Sequence, residues 1–294
     1  MQLLAADPDH PLIVLTTDFG LSGAVGVMKG VILTINPRAT IIDLTHQIPP
    51  QNIRQGAFIL GNDHRFFPSN AIHVAVVDPG VGTSREGLLV VTPRGRFVAP
   101  DNGLLTDVLW DASPETATQD SPAALPADCA AYTLTGASFW LDPVSRTFHG
   151  RDVFAPVAAH LSLGILPEQL GQPLSQIHRL ASDRPSGILS GKTNDTLTGQ
   201  VLHADNFGNL VTNITAGMLA DAGDVAVWIK GRRILGLSRT FHDESIGNAG
   251  ATQAPDGLIA LISSNGYLEI AVTDGSAALS LQAGAGEPVQ VTAS

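Results

Sequence analysis

Asp78 and Arg85 bracket the turn Asp78-Pro79-Gly80-Val81-Gly82-Thr83-Ser84-Arg85. The turn directly follows Ile72 to Val77, a largely apolar, β-branched run that reads as a buried strand. A carboxylate therefore stands where a strand leaves the core, and one Pro and two Gly bend the chain to deliver a guanidinium. Such an acid can fix or deprotonate a water, and an arginine can stabilise the negative charge that develops. In open α/β sheets, ligands bind at the carboxyl ends of strands. The competing reading is a strained turn closed by an Asp78–Arg85 ion pair. The turn is no dinucleotide fingerprint, because strand-like sequence follows it and the next glycine is misplaced. It is no P-loop either, since no Gly-Lys-Ser/Thr follows.

Further candidates occupy comparable places. Asp18 ends an apolar strand in Thr16-Thr17-Asp18-Phe19-Gly20 and can accept two hydrogen bonds from a ribose diol. As a helix cap it would stand far from the helix that begins near Ala24. The tripeptide Asp-Phe-Gly occurs without the Gly-rich loop, strand lysine and catalytic loop of a kinase, which excludes kinase chemistry. His149, in Thr147-Phe148-His149-Gly150-Arg151-Asp152, precedes a helix whose N-terminus disfavours the charged imidazole. A neutral ring there can accept a proton or orient a water, or it can simply hydrogen-bond within its loop.

Later in the chain, Asp205-Asn206-Phe207-Gly208-Asn209 gathers an acid, two amides and an aromatic ring around a glycine. Asn209 carries both donor and acceptor, which suits an adenine edge, and Phe207 can stack on a base; the plainer reading is a hairpin turn. Ser263-Ser264-Asn265-Gly266 is a similar turn. It leads into a strand on which Glu269 shares a face with Tyr267, and taken alone Glu269 reads as solvent-facing.

The elements that must hold these residues differ between the two halves. Leu12 to Thr17, Thr40 to Leu44, Ile72 to Val77 and Gly87 to Thr92 read as strands. Helical spacing runs over Ala24 to Ile35, with Val25, Met28, Ile32 and Ile35 on one face, and over Asn52 to Leu60 and Val153 to Leu163. This alternation implies an α/β domain with a mostly parallel sheet, assigned to residues 1–185. After a Ser-, Gly-, Asp- and Thr-rich linker, Ser186 to Thr196, come short β-like runs: Leu197 to His203, Asp224 to Ile229, Leu258 to Ile262, Tyr267 to Val272 and Pro288 to Thr292. They imply a smaller all-β, barrel-like domain over residues 196–294. Asp111 to Ala131 and Asp243 to Pro255 read as surface loops.

Composition narrows the function classes. Of 294 residues 44% are hydrophobic and 15% charged, so a sizeable core is available and disorder is not expected. A net charge of −11 argues against nucleic acid as a partner. The nine histidines show no paired ligand spacing and the single cysteine, Cys129, excludes an internal disulfide, so no metal site is expected. Cys129 has no activating base nearby and reads as an inert thiol. No secretory signal and no spanning apolar stretch is visible, so a cytoplasmic protein with no membrane partner is expected.

Taken together, the segments from Leu12 to about Val291 resemble the adenosine-forming S-adenosyl-L-methionine (SAM) hydrolases, relatives of the fluorinase and chlorinase enzymes. The resemblance is carried by Thr17-Asp18-Phe19-Gly20, Asp78 to Thr83 with Arg85, Thr147 to Asp152, Phe207-Gly208-Asn209 and Ser264-Asn265-Gly266, in that order. It implies an N-terminal α/β domain, a C-terminal β-barrel and a homotrimer with active sites between subunits. It also places the catalytic Asp, Arg and His set on Asp78, Arg85 and His149, and the ribose-diol carboxylate on Asp18. By the same resemblance Asn209 and Phe207 contact adenine, as does backbone near Val272, and Asp205, Ser264 and Glu269 hold the methionine portion.

The halogenating relatives carry Tyr in place of Asp78, and the fluorinase has a halide-binding Ser where this chain has Gly150. Water is thus the expected nucleophile, attacking the ribose 5′ carbon to release adenosine and methionine, with SAM as substrate and no cofactor. One departure stands out. Many relatives have an acidic residue where this chain has Gly23, so a contact to the methionine ammonium is missing or is supplied by Asp205 or Glu269. A chloride-using halogenase and a non-catalytic SAM or adenosine binder remain the alternatives.

Overall fold

The structure is a computed structural model and describes residues 11–110, 117–189, 195–242 and 257–293. β1 (Leu12–Thr17) and β3 (Ile72–Val76) are buried on both faces, as their largely apolar runs suit strands inside a covered parallel sheet. Between them lie α1 (Ala24–Ile35), β2 (Thr40–Thr45) and α2 (Ile53–Asp63). β4 (Gly87–Thr92) and β5 (Gly95–Pro100) form a hairpin, and α3 (Thr106–Trp110), β6 (Ser121–Ala124) and β7 (Ala130–Leu134) follow. A π-turn (Gly150–Phe154), α4 (Ala155–Ser162), α5 (Pro167–Leu170), β8 (Gly171–Leu174) and β9 (Gln176–Arg179) complete this part.

The seven-stranded sheet runs β2-β1-β3-β5-β4-β7-β8. The β2, β1, β3 and β5 junctions are parallel, and β4, β7 and β8 extend the sheet in antiparallel fashion. Val25, Met28 and Ile32 of α1 pack with α4 on one face, and Leu60 of α2 with Leu104 and Trp110 on the other. Chain order makes the gap between β1 and β3 a switch point: β1 leads through α1 to β2 on one side, and β3 leads to β4 and β5 on the other. The carboxyl ends of those two strands are where such sheets accept ligands. Asp18 and Asp78 lie just beyond them.

The chain divides into two compact units, one ending at Ser182 and the other beginning at Asp183. The second unit holds β10 (Ser186–Gly187), β11 (Thr196–Ala204), β12 (Leu210–Thr215), α6 (Ala216–Leu219), β13 (Val225–Ile229) and β14 (Arg232–Leu235). β15 (Leu258–Ile262), β16 (Tyr267–Val272), α7 (Ala277–Leu281) and β17 (Pro288–Ala293) follow. Its strands are antiparallel in the order β14-β13-β17-β11-β12-β16-β15. The Ser238 N–H donates to the Ala260 carbonyl at 2.7 Å, drawing the two edge strands together into a nearly closed barrel. Inward positions alternate along β11 and β17, and Leu197, Val201, Val289 and Val291 fill the interior.

Several expectations from sequence are corrected. The segment read as a loop up to Ala131 contains β6, paired with β9, and the start of β7. Its apolar content is low and Pro122 interrupts it, so no period-2 pattern announced the strand. Ser186 and Gly187, read as linker, pair with β11. The helix read from Val153 begins as a π-turn at Gly150, and α4 proper starts at Ala155. Asn52 is the cap of α2 and not its first helical residue: its Oδ1 accepts the Gln55 N–H at 3.0 Å. The stretch from Asp243 to Pro255 lies outside the described residues.

Candidate active site

Asp78 follows β3 and its side chain is 4% exposed. Arg85 grips it from the far end of the turn. Nε donates to Oδ1 at 3.1 Å and Nη2 donates to Oδ2. This fork-on-carboxylate geometry is the strong, orienting form of the pair. Arg85 is itself held by the Glu86 carbonyl, 2.9 Å from Nη1, and by the Phe154 ring beneath its guanidinium. On the other side Nη2 lies 3.3 Å from His149 Nδ1. A guanidinium only donates, so Nδ1 is the acceptor there and the ring proton sits on Nε2. The three residues expected to act together thus form one contiguous set with Arg85 at its centre.

Two devices keep the set in place. Gly82 has φ +76°, a conformation that favours glycine, and a Cβ there would meet the Arg146 carbonyl oxygen at 2.1 Å. The turn and the loop that carries His149 are therefore in backbone contact. On that loop, Asp152 is buried and accepts the Ser145 N–H at 2.7 Å while pairing with Arg151. Arg151 and the buried environment pull the Asp152 carboxyl in opposite directions, and the net result lies below the ordinary 3.8.

Burial pushes the Asp78 carboxyl above 3.8, against the pull of Arg85 and His149. Burial also lowers His149 below 6.5, and the Arg85 charge adds to it. The expectation of a neutral imidazole holds, but its cause is burial and a neighbouring cation, since His149 precedes a π-turn and not an α-helix.

Asp18 does not cap α1; Gly23 stands at that position and offers no side-chain bond. Instead Asp18 Oδ2 accepts the Gln51 N–H at 2.8 Å. Asp18 also contributes to the field at Asp78, which places both acids at one end of the sheet. A Cβ on Gly150 would approach Phe148, Met28 and Phe19 to between 3.2 and 3.4 Å. A side chain at this position would need those apolar groups to give by a few tenths of an ångström. Around Gly23 nothing lies within 4 Å of a would-be Cβ, so packing does not require glycine there.

In the second unit Asp205 organises its turn. Oδ1 accepts the N–H groups of Phe207 and Asn209, each at 2.9 Å, and Asn209 Nδ2 donates to Oδ2 at 3.0 Å. Gly208 has φ +83°, and a Cβ there would strike Ser276. Asn209 is buried, whereas Phe207 is 79% exposed. Glu269 is buried rather than solvent-facing: it pairs with Val211 in the middle of the sheet. Burial and the Asp205 charge push its carboxyl above 4.5. Register separates the remaining candidates. The turn with Ser264 leads into Tyr267, which pairs with Thr215, while Asn209 adjoins Leu210, paired with Ile270 near Val272. Ser264 therefore lies at the other end of β16 from the Asp205 turn. Val272 is half-buried, with its carbonyl engaged by the Gly275 N–H.

Sequence reasoning did not single out His46, Asp43 or Gln51, which line the loop beside Asp18. Gln51 has φ +67°. Their one sequence signal is position in or just after a strand that pairs with β1.

Among the described residues no group of three or more His, Cys, Asp or Glu is placed to hold a metal ion, and no helix is long and apolar enough to cross a membrane. Residues 13–171 match the sequence profile of the SAM hydroxide adenosyltransferase N-terminal domain, and residues 199–290 match that of the C-terminal domain. An (R)-S-adenosyl-L-methionine hydrolase of Salinispora arenicola is 37% identical over 96% of this chain and 98% of its own length. The protein of that name from Thermus thermophilus is 37% identical over 94% and 97%. A fluorinase of an Actinoplanes species is more distant, at 28% identity over 96% and 98%. A solved structure, an uncharacterized conserved protein from Thermotoga maritima, has a TM-score of 0.79 at 33% identity, covering 95% of this chain and 99% of that one. The chain belongs to the SAM hydroxide adenosyltransferase family.

Proposed function

We propose that this protein hydrolyses (R)-S-adenosyl-L-methionine to adenosine and L-methionine. The observation that carries the reading is Arg85 fixed between Asp78 and His149 at the sheet's switch point. Water attacks the ribose 5′ carbon. Its proton passes to the Asp78 carboxylate, the new C–O bond completes adenosine, and the C–S electron pair leaves on sulfur as the neutral thioether of methionine. The leaving group needs no acid, because the sulfonium is already charged. Catalysis therefore concerns the nucleophile. His149 Nε2–H holds the water, and Arg85 stabilises the hydroxide character that develops. With its pKa raised by burial, Asp78 is a stronger base than a free carboxylate.

Asp18 would hold the ribose diol. Asn209, Phe207 and backbone near Val272 would receive adenine, and Asp205 and Glu269 the methionine portion, with Ser264, at the far end of β16, reaching that portion only where a second subunit completes the site. Glu269, pushed towards its protonated form by burial, is suited to a substrate ammonium that restores its charge. In that role Glu269, or Asp205, would supply the contact that Gly23 lacks. Gly150, which offers no side-chain hydroxyl to a halide, favours water over halide. No cofactor enters these steps, so a chelator is expected to leave the rate unchanged.

A homotrimer in the cytoplasm belongs to the same proposal. Light scattering should return three times the mass of the chain, and cell fractionation tests the location. The reaction itself is tested by incubating the purified protein with (R)-SAM and excess chloride or fluoride. Adenosine and methionine are the expected products. A 5′-halo-adenosine, or bound but unconverted substrate, would refute hydrolysis.

A further inference from the structure

β1 and β2 are parallel neighbours, and the register brings Thr16 beside Thr45. The last residue of β1 therefore meets the first residue past β2. Thr17, fully buried, sets its Oγ1 2.9 Å from His46 Nδ1. Oγ1 also accepts the Phe19 N–H at 3.2 Å, which leaves the hydroxyl hydrogen for His46. Nε2 of His46 faces Asp43 Oδ1 at 3.0 Å, close but not aligned as a hydrogen bond. The second Asp43 oxygen takes Lys29 Nζ at 2.6 Å. A carboxylate on that side favours the hydrogen on Nε2 and leaves Nδ1 as acceptor. Burial raises the Asp43 carboxyl, but Lys29 and His46 outweigh it, so Asp43 stays ionised.

The backbone closes the same junction twice more. The Gly20 N–H donates to the His46 carbonyl at 2.7 Å. The Gln51 N–H reaches Asp18 Oδ2 at 2.8 Å from a backbone held at φ +67°. A non-glycine residue in that region costs about 1 kcal/mol or more and persists where surroundings impose it. The loop 46–51 thus grips the loop 17–20 on both sides of Asp18. Among the described residues Asp18 Oδ1 has no hydrogen-bond partner, so one oxygen is fixed and the other is left for a ligand.

We propose that His46 is a positioning residue that acts through Thr17 and Gly20 to aim the Asp18 carboxylate at a ribose diol. It thereby sets the preference for ribose over deoxyribose nucleosides. The inference rests on the reading of Asp18 given above. It adds the Lys29–Asp43–His46–Thr17 chain as the support that gives Asp18 its direction.

The test compares binding of adenosine and 2′-deoxyadenosine by calorimetry, together with kcat and KM for (R)-SAM. In His46→Ala the preference for adenosine should shrink about tenfold, and KM should rise with little change in kcat. Thr17→Val, which keeps the shape of a buried strand end, should do the same if His46→Ala folds poorly. His46→Asn should restore much of the preference, because its amide oxygen can stand where Nδ1 stands. A general loss of packing would lower the melting temperature without changing the ribose-to-deoxyribose ratio. The proposal is overturned if His46→Ala and Thr17→Val both fold and keep the original ratio while Asp18→Ala loses it. If Asp18→Ala also keeps the ratio, the assignment of Asp18 to the ribose fails first, and this inference fails with it.

Discussion

Arg85 decides the chemistry at the scale of single residues. It holds the Asp78 carboxylate in a fork and turns the His149 ring by claiming Nδ1, so the acid is the remaining base and the imidazole a donor. Asp78→Asn keeps the shape and loses the base. It should lower kcat about 10²–10⁴-fold with KM little altered, measured by adenosine release. Asp78→Ala is a poorer probe, since it leaves a buried guanidinium unpaired and is expected to cost about 3–5 kcal/mol of stability. The pH profile of kcat/KM follows from the same shifts. Activity requires ionised Asp78 and neutral His149, so it is full at neutral pH and falls on acidification. The acid limb should lie above the ordinary 3.8 of an aspartate and below the 6.5 of a free histidine. A limb at 6.5 or higher would show that His149 is not held neutral by its surroundings. Glu269→Gln should raise KM with kcat nearly unchanged, as expected for a group that binds substrate and transition state alike. Asp78, Arg85 and His149 were legible in sequence because motif order marks them. The burial of Glu269 was not, because alternation along β16 names a face without naming what covers it.

Turns and loops carry the precision of the site. The Gly82 turn and the loop 145–149 meet backbone to backbone, and Gly82 is the residue that permits it. Gly82→Ala combines a positive φ with a clash against a carbonyl oxygen. The expected result is about 1–3 kcal/mol of lost stability together with a fall in kcat, because the His149 loop must move; chemical denaturation and kinetics read the two effects. Buried strands such as β1 and β3 were legible from their largely apolar runs. β5 was overlooked although it is buried throughout, since Arg96 and Pro100 interrupt its pattern. The loop after β2 was overlooked for another reason: a His and a Gln in a polar stretch acquire meaning only when parallel pairing sets them against β1.

The whole first unit carries a pH liability unrelated to catalysis. His73 on β3 is fully buried, stacked on Phe97 at 4.8 Å, and burial holds its pKa down at about 3. Among the described residues neither ring nitrogen has a hydrogen-bond partner. The unfolded chain takes up this proton near 6.5 and the folded chain only near 3, so stability is complete above 6.5 and declines as pH falls through that window. The slope is at most about 1.4 kcal/mol per pH unit. Denaturant titrations at several pH values should show it, and His73→Phe should flatten it. The two-unit architecture, α/β then antiparallel barrel, was visible in the change of hydrophobic period near residue 190. The near-closure of the barrel was not, because it depends on Ser238 meeting Ala260, a contact between residues with no sequence pattern in common.

The central claim is that water, activated by the Asp78–Arg85–His149 set, ends on the ribose 5′ carbon. Turnover of (R)-SAM in oxygen-18-labelled water containing chloride tests it most directly. The expected result is adenosine labelled at the 5′ oxygen with unlabelled methionine, formed about 10²–10⁴-fold more slowly by Asp78→Asn. Unlabelled adenosine, or 5′-chloro-adenosine, would contradict it.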